Sequence, residues 1–387
     1  MVVINGVSAK SILDSRNEKT VSVYINTNVG KFHASAPTGK STGKYETKAY
    51  KKSLSGDIET LKKFKDYFSD EIIESFSDLR RIEDIVDGHV GANTLFALES
   101  AILKALAKKN KKDIWQIVNA NANVKKFPRL VGNVVGGGKH SSDRKKPDFQ
   151  EFELIPKTNS VKEAFNLMLK AKKETMYLLK EKDEKFQGKK NDEDAWRTSL
   201  NEKEVFEVLN NFNIPLGVDV AASGFYKRKK YHYQNPMLQR TKDEQTAYIS
   251  NLIKNFNLEY VEDPFDEEDF ESHAKLLKKF PNTLIVGDDL TVTSHKRLQK
   301  AIEVKSINAL IVKPNQNGSL LEVKQVCELA RKHNIKLVFS HRSGETEENI
   351  LSDLAFGFQA DFLKCGITGK ERESKIRRLI DIERKLR

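Results

Sequence analysis

The stretch 258-LEYVEDPFDEEDFESHAKLLKKFPNTLIVGDD-289 decides the architecture. Two short apolar runs, LEYVED and LIVGDD, flank a segment whose apolar residues recur at helical spacing. Strand, helix and strand in that order make a βα unit, which sets consecutive strands parallel. The same pattern extends outward in both directions. Further apolar runs are 149-FQEFELI, 214-IPLGVDV, 307-INALIVK, 335-IKLVFSH and 361-DFLKCG. Helix-patterned segments such as 243-DEQTAYISNLIKNF, 295-HKRLQKAIEV and 319-SLLEVKQVCELARKH lie between them. From 214 onward each run closes on a polar residue: Asp219, Glu262, Asp288, Lys313, His341 and Lys364. From Glu262 onward these recur about every 25 residues, one βα unit per step. A closed barrel brings all such strand ends to one mouth. A doubly wound open sheet would gather ligands at one switch point and leave many of these residues far apart. The spacing therefore predicts an α/β barrel.

The residues before it read differently. VSVYINTN and GKFHASAP alternate around 26-NTNVG-30, a hairpin pattern. The stretches 57-DIETLKKFKDYFSDEIIESF-76 and 94-TLFALESAILKALAKKN-110 carry helical spacing. A polar segment, 121-NANVKKFP-128, then leads into the barrel pattern. The expectation is a small α+β domain over residues 1–125 and a barrel domain over 126–387 that carries the site.

Composition narrows the function. The 387 residues carry a formal charge of +12, with 38% hydrophobic and 32% charged residues. Recurrent apolar runs argue against disorder. The basic balance suits an anionic substrate or polyanion, but no nucleic-acid-binding motif accompanies it. Two cysteines, Cys327 and Cys365, show neither a disulfide framework nor a metal knuckle. The N-terminus has no basic flank and long apolar run of a secretion signal, and no run reaches the length of a membrane span. A reduced, cytoplasmic protein is expected.

Three acids at consecutive strand ends, Asp219, Glu262 and Asp288, would repel one another if they converged. A hard divalent cation with oxygen ligands, such as Mg²⁺, resolves that repulsion. The competing reading is three solvated strand ends. Asp263 and Asp289 would orient ligands or cap loops. Lys313 closes the apolar run LIVK, where a neighbouring cation can lower a lysine pKa enough for base catalysis. Lys364 closes another. In 340-SHRSGETE-347, His341, Arg342 and Ser343 form a candidate clamp for phosphate or carboxylate.

In order along the chain, 35-SAPTGKSTGKYE, 136-GGGKH, 149-FQEF, 219-DVAAS, 262-EDPFDEED, 287-GDDLTVT, 312-VKPNQNGSL, 340-SHRSGETE and 364-KCG resemble the motifs of the enolase family, the phosphopyruvate hydratases. The resemblance spans nearly the whole chain. It implies a small α+β domain before a barrel with an irregular antiparallel start, a homodimer or higher oligomer, and a cytoplasmic enzyme. It implies two Mg²⁺ per active site: one on Asp219, Glu262 and Asp288, and a second, arriving with substrate, reached by Ser41. Lys313 would take the C2 proton of 2-phosphoglycerate, with metal-stabilised charge beside it. Glu193 would be the general acid that helps the C3 hydroxyl leave, supported by Glu151. Lys364 and His341 would contact substrate, Arg342 and Ser343 its phosphate, and His140 would lie in a closing loop. The alternatives are a superfamily enzyme acting on another hydroxy acid, or a non-catalytic RNA-binding, polyanion-binding or scaffold protein. The last draws on the basic, aromatic 226-YKRKKYHY and on lysine-rich 170–190.

Several positions depart from that family pattern. Where G-D-E-G-G is usual, this chain has 191-NDEDAW-196. Asp194 would strain the turn and either raise the Glu193 pKa or repel an anion. The first loop reads 37-PTGKSTG-43, so Lys40 adds bulk and charge. Gly224 replaces a usual Glu, and Cys365 a usual Thr.

Overall fold

The computed structural model describes residues 1–40, 43–69 and 71–387. The chain opens with β1 (Val2–Leu13), β2 (Lys19–Thr27) and β3 (Gly30–Ser35), an antiparallel meander. Its inward residues Val21, Val23, Ile25 and Ala34 are fully buried. The helix Ala92–Asn110 covers them, and Ala97, Ala101 and Ala105 on its buried side allow close approach.

The helical reading of 57–76 does not hold throughout. The helix is Leu54–Lys63, with Ser53 accepting from the Gly56 N–H as its cap. Glu71–Ile73 is instead β4, antiparallel to β1 with Val2 opposite Ile73. The vacant edge of β1 offers this short β-branched segment backbone partners and burial of Ile73, which outweigh a local helical pattern.

Beyond the irregular residues 119–128 the barrel begins. β5 (Arg129–Gly136) pairs with β6 (Glu151–Leu154), and β6 with β8 (Leu216–Asp219), both antiparallel. The short β7 (Trp196–Arg197) lies alongside β5. β9 (Tyr226–Lys227), β10 (Lys230–Gln234) and β11 (Met237–Arg240) form a side sheet. Five parallel strands follow: β12 (Tyr260–Glu262), β13 (Leu284–Gly287), β14 (Ala309–Val312), β15 (Lys336–Ser340) and β16 (Phe362–Lys364). β16 pairs with β5 and closes eight strands into a barrel. The architecture is thus an α+β domain followed by a βα barrel with an antiparallel start, as expected.

Burial on both faces explains the uninterrupted apolar runs. Along β14, Ala309 and Ile311 pack inside the barrel with Val131, Ile155, Tyr260, Val286 and Val338. Leu310 and Val312 join the layer beneath the helices. Both cysteines are buried and unpaired. Among the described residues no helix is long and apolar enough to cross a membrane. In the side sheet Tyr231 and Tyr233 are buried, while Tyr226 and His232 of 226-YKRKKYHY are half-buried, so two of its four rings are withdrawn from stacking.

Candidate active site

Strand direction delivers the side chains. Asp219, Glu262 and Lys364 are the last residues of β8, β12 and β16, and Asp288, Lys313 and His341 immediately follow β13, β14 and β15. β6 runs the other way, so its first residue, Glu151, reaches the same mouth, in register with Asp219. Glu262 in turn sits opposite Asp219, and Ser340 opposite Lys364.

Lys364 is the hub. Its Nζ donates to Glu262 Oε2 at 2.7 Å and lies 3.1 Å from Glu151, 3.1 Å from Glu153 and 3.5 Å from Asp219. Burial works against its charge, but these four carboxylates hold its pKa well above the lysine range. Lys313 Nζ meets Asp288 Oδ2 at 2.5 Å. Burial again opposes its charge, and Asp288 outweighs that and raises its pKa. Glu153 is a site residue that the sequence reading missed. The available signal was the Glu-x-Glu alternation of 151–153, which puts both acids on one face of a strand.

Glu193 lies on the facing side. Asn133 Nδ2 donates to it at 3.1 Å; His140 Nδ1 is 3.5 Å and His341 Nε2 3.6 Å away. Burial, then the charge of Glu151, pushes its pKa up to about 7. His140 is buried, which disfavours its charged form, yet Glu193 and Glu151 raise it to about 9. Burial and then Arg372 hold His341 well below the usual histidine value. Arg342 grips Glu46 at 2.9–3.0 Å and Asn315 at 3.1 Å. The Ser343 hydroxyl accepts from Arg16 and from the Lys40 N–H. Ser41 lies outside the described residues.

Among the described residues, two groups of ligand atoms lie within 4.8 Å of one another and could hold a divalent cation: His140–Glu151–Glu193 and Asp263–Asp288–Asp289. The expected trio is less tightly gathered, because Lys364 sits between Asp219 and Glu262 while Lys313 holds Asp288. The trio nevertheless suits a cation. Glu262 Oε1 and Asp288 Oδ1 are buried oxygens with no hydrogen-bond partner among the described residues, and unsatisfied carboxylate oxygens are what a hard cation takes. Asp263 proves to be a loop cap, accepting from the Asp288 and Asp289 N–H groups at 2.9 and 2.6 Å.

The loop 189–196 is no idle solvated segment. The Asn191 side chain accepts from the Glu193 and Ala195 N–H groups, and the Trp196 indole donates to the Lys172 carbonyl. Asp194 does take the left-handed backbone expected of a glycine, at φ 63°. Its carboxylate turns away from the site to Lys172 and Lys190, at 3.0 and 2.9 Å. It is Glu151 and Asp192, not Asp194, whose charges raise the Glu193 pKa.

Two family models cover the chain: "Enolase, N-terminal domain" over residues 4–118 and "Enolase, C-terminal TIM barrel domain" over 125–387. The chain belongs to the enolase family. It is 35% identical to the enolase of Natronomonas pharaonis over 404 aligned residues, covering 99% of both chains. It is 34% identical to that of Methanosphaera stadtmanae, covering 99% of this chain and 97% of the relative. The enolase of Pyrobaculum aerophilum is 34% identical, over 94% of this chain and 91% of the relative. Enolase-family membership makes it an enzyme of the enolase superfamily with a candidate metal-binding cluster at the barrel mouth.

Proposed function

We propose that the protein is a Mg²⁺-dependent hydro-lyase interconverting 2-phospho-D-glycerate and phosphoenolpyruvate. The observation that carries this reading is a buried lysine and a buried carboxyl on two sides of one acid-lined mouth. Lys313 is joined to the candidate metal carboxylates, and Glu193 is held near neutrality. The C2 proton of the substrate lies beside an anionic carboxylate and needs a positioned base. Lys313 serves as that base. The C3 hydroxyl leaves poorly unless protonated. Glu193, oriented by Asn133 and flanked by His140, serves as the acid, and Glu151 keeps negative charge beside it. His140 also closes the site over substrate, and His341 and Lys364 contact its carboxylate end. Arg342 and Ser343 would bind the phosphate after Arg342 gives up Glu46. Asp219, Glu262 and Asp288 would hold one Mg²⁺, and Ser41 would reach a second. A bound metal would supply positive charge against the developing carboxylate charge, and Asp288, engaged as a ligand, would hold the Lys313 proton less tightly.

The same reading takes residues 1–125 as a capping domain and 126–387 as the catalytic barrel, in a cytoplasmic homodimer or higher oligomer. Contacts from Ser15 and Arg16 to Glu345 and Ser343 support the capping role. The test is a spectrophotometric assay of enolpyruvate formation from 2-phosphoglycerate with Mg²⁺, with EDTA, and with Lys313→Ala. Turnover that needs Mg²⁺ and falls about 10²–10⁴-fold in the variant supports the assignment. A folded, Mg²⁺-binding protein without turnover would sink it and favour another hydroxy acid.

A further inference from the structure

Outside the mouth, the segment that follows His140 and the segment that precedes Glu193 face each other across a cavity of about 200 Å³. Arg144 and Lys145 line it from the first segment, Lys185 and Lys189 from the second, and Arg197 from just beyond Glu193, with Asp143 of the first segment as its one acid. Arg197 is committed to Asp143, with its Nε donating at 2.7 Å and its Nη2 adding a second contact. Among the described residues the side chains of Arg144, Lys145, Lys185 and Lys189 meet no carboxylate within ion-pair distance. The walls are otherwise polar. Thr198 and Ser199 donate their hydroxyls to buried Asp183, which fixes that side of the cavity.

A concave site in which five cations face one carboxylate concentrates counter-ions. Asp143, bound by Arg197 and also felt by Lys189, leaves most of this positive charge unbalanced, so the two segments gain when an anion neutralises it. A multivalent anion suits this better than a carboxylate, since several donors converge on it at once. Among the described residues no aromatic side chain lines the cavity, which leaves nothing for a base to stack on and favours a small phosphate compound over a nucleic-acid strand. We propose that this cavity binds a small multivalent phosphate anion, which ties the His140 segment to the Glu193 segment. The binding does not depend on the reaction assigned above.

The test titrates pyrophosphate into the full-length protein by calorimetry, at constant ionic strength and with EDTA present. Lys145→Ala combined with Lys185→Ala removes a cation from each wall. Both side chains are exposed and unpaired, so folding is retained, as a melting curve would verify. Affinity is expected to fall at least about tenfold in that variant and to stay close to wild type in Lys145→Arg with Lys185→Arg. In the wild type, hydrogen exchange across 141–147 and 185–190 should slow when pyrophosphate is added. Equal affinity in wild type and alanine variant would place any binding at the mouth and overturn the proposal, as would unchanged exchange in both segments. Binding of an RNA oligonucleotide in place of pyrophosphate, lost in the same variant, would also overturn it.

Discussion

Asp194 shows how one residue can be misread from its neighbours in sequence. Beside Glu193 in the chain, it suggests a charge pushing on the proposed general acid. In space its carboxylate serves Lys172, a lysine only 5% exposed on the helix Val161–Lys182. Burial, offset only in part by Asp194, lowers the Lys172 pKa to about 8. No sequence pattern connects the two, because the contact depends on how that helix lies on the barrel. Asp194→Gly would relax the left-handed backbone yet strand a buried ammonium. The expected net cost is about 2–3 kcal/mol in urea unfolding, most of it recovered when Lys172→Met is added. A single variant as stable as wild type would refute the coupling. His273 is a second buried case. Its Nδ1–H donates to the Asp269 carbonyl, its Nε2 has no partner among the described residues, and burial lowers its pKa to about 4. The unfolded chain therefore binds more protons between pH 4 and the ordinary histidine value near 6.5. Stability is fully present above that range and is lost as pH falls through it, by about 3 kcal/mol at pH 4. His273→Leu should flatten unfolding free energy measured across this window. A slope unchanged by the substitution would assign the loss to other groups.

At the scale of elements, the strands of the barrel were legible and the loops between them only in part. Burial on both faces writes β8 and β12–β16 as apolar runs, and the barrel ends each at the mouth, so Asp219, Glu262, Asp288, Lys313, His341 and Lys364 could be found by spacing. The partners of Arg342 could not, because Glu46 comes from the N-terminal domain and the contact is purely tertiary. The same holds for Lys40, whose Nζ lies 3.0 Å from Asp192. That pair links the first loop to the loop that carries Glu193, over a mouth whose free volume is only about 30 Å³, little more than a water needs. Substrate entry therefore requires these loops to part. Lys40 is 42% exposed at its side chain, which limits the pair to under about 1 kcal/mol. Lys40→Ala should raise the exchange rate of the amide at position 40, now bonded to Ser343 Oγ at 2.8 Å, by up to about fivefold. A much larger increase would mean the loop has no other anchor, and none would mean the pair does not hold it.

For the molecule as a whole, the charge distribution argues for a cation at the mouth. The chain is basic overall, at +12, yet its barrel mouth concentrates Glu151, Glu153, Asp219, Glu262, Asp263, Asp288 and Asp289. Burial, with the neighbouring acids, raises the pKa of Glu153, Glu262 and Asp263 well above the carboxylate range, the mark of acids short of counter-charge. Lys364 and Lys313 supply part of it and let the barrel form without metal. A divalent cation would supply the rest and bind only the folded chain, so Mg²⁺ should stabilise the protein by RT ln(1 + [Mg²⁺]/Kd), about 2.7 kcal/mol at a hundredfold excess over Kd. EDTA should reverse that rise in melting temperature without unfolding the protein. Glu262→Gln keeps a side chain able to bond Lys364 and Tyr260 but removes one candidate ligand charge. It should need far more Mg²⁺ for the same rise. If the variant responds to Mg²⁺ as the wild type does, the stabilising cation sits elsewhere, and the His140–Glu151–Glu193 cluster becomes the place to look, with Glu151→Gln as the matching variant.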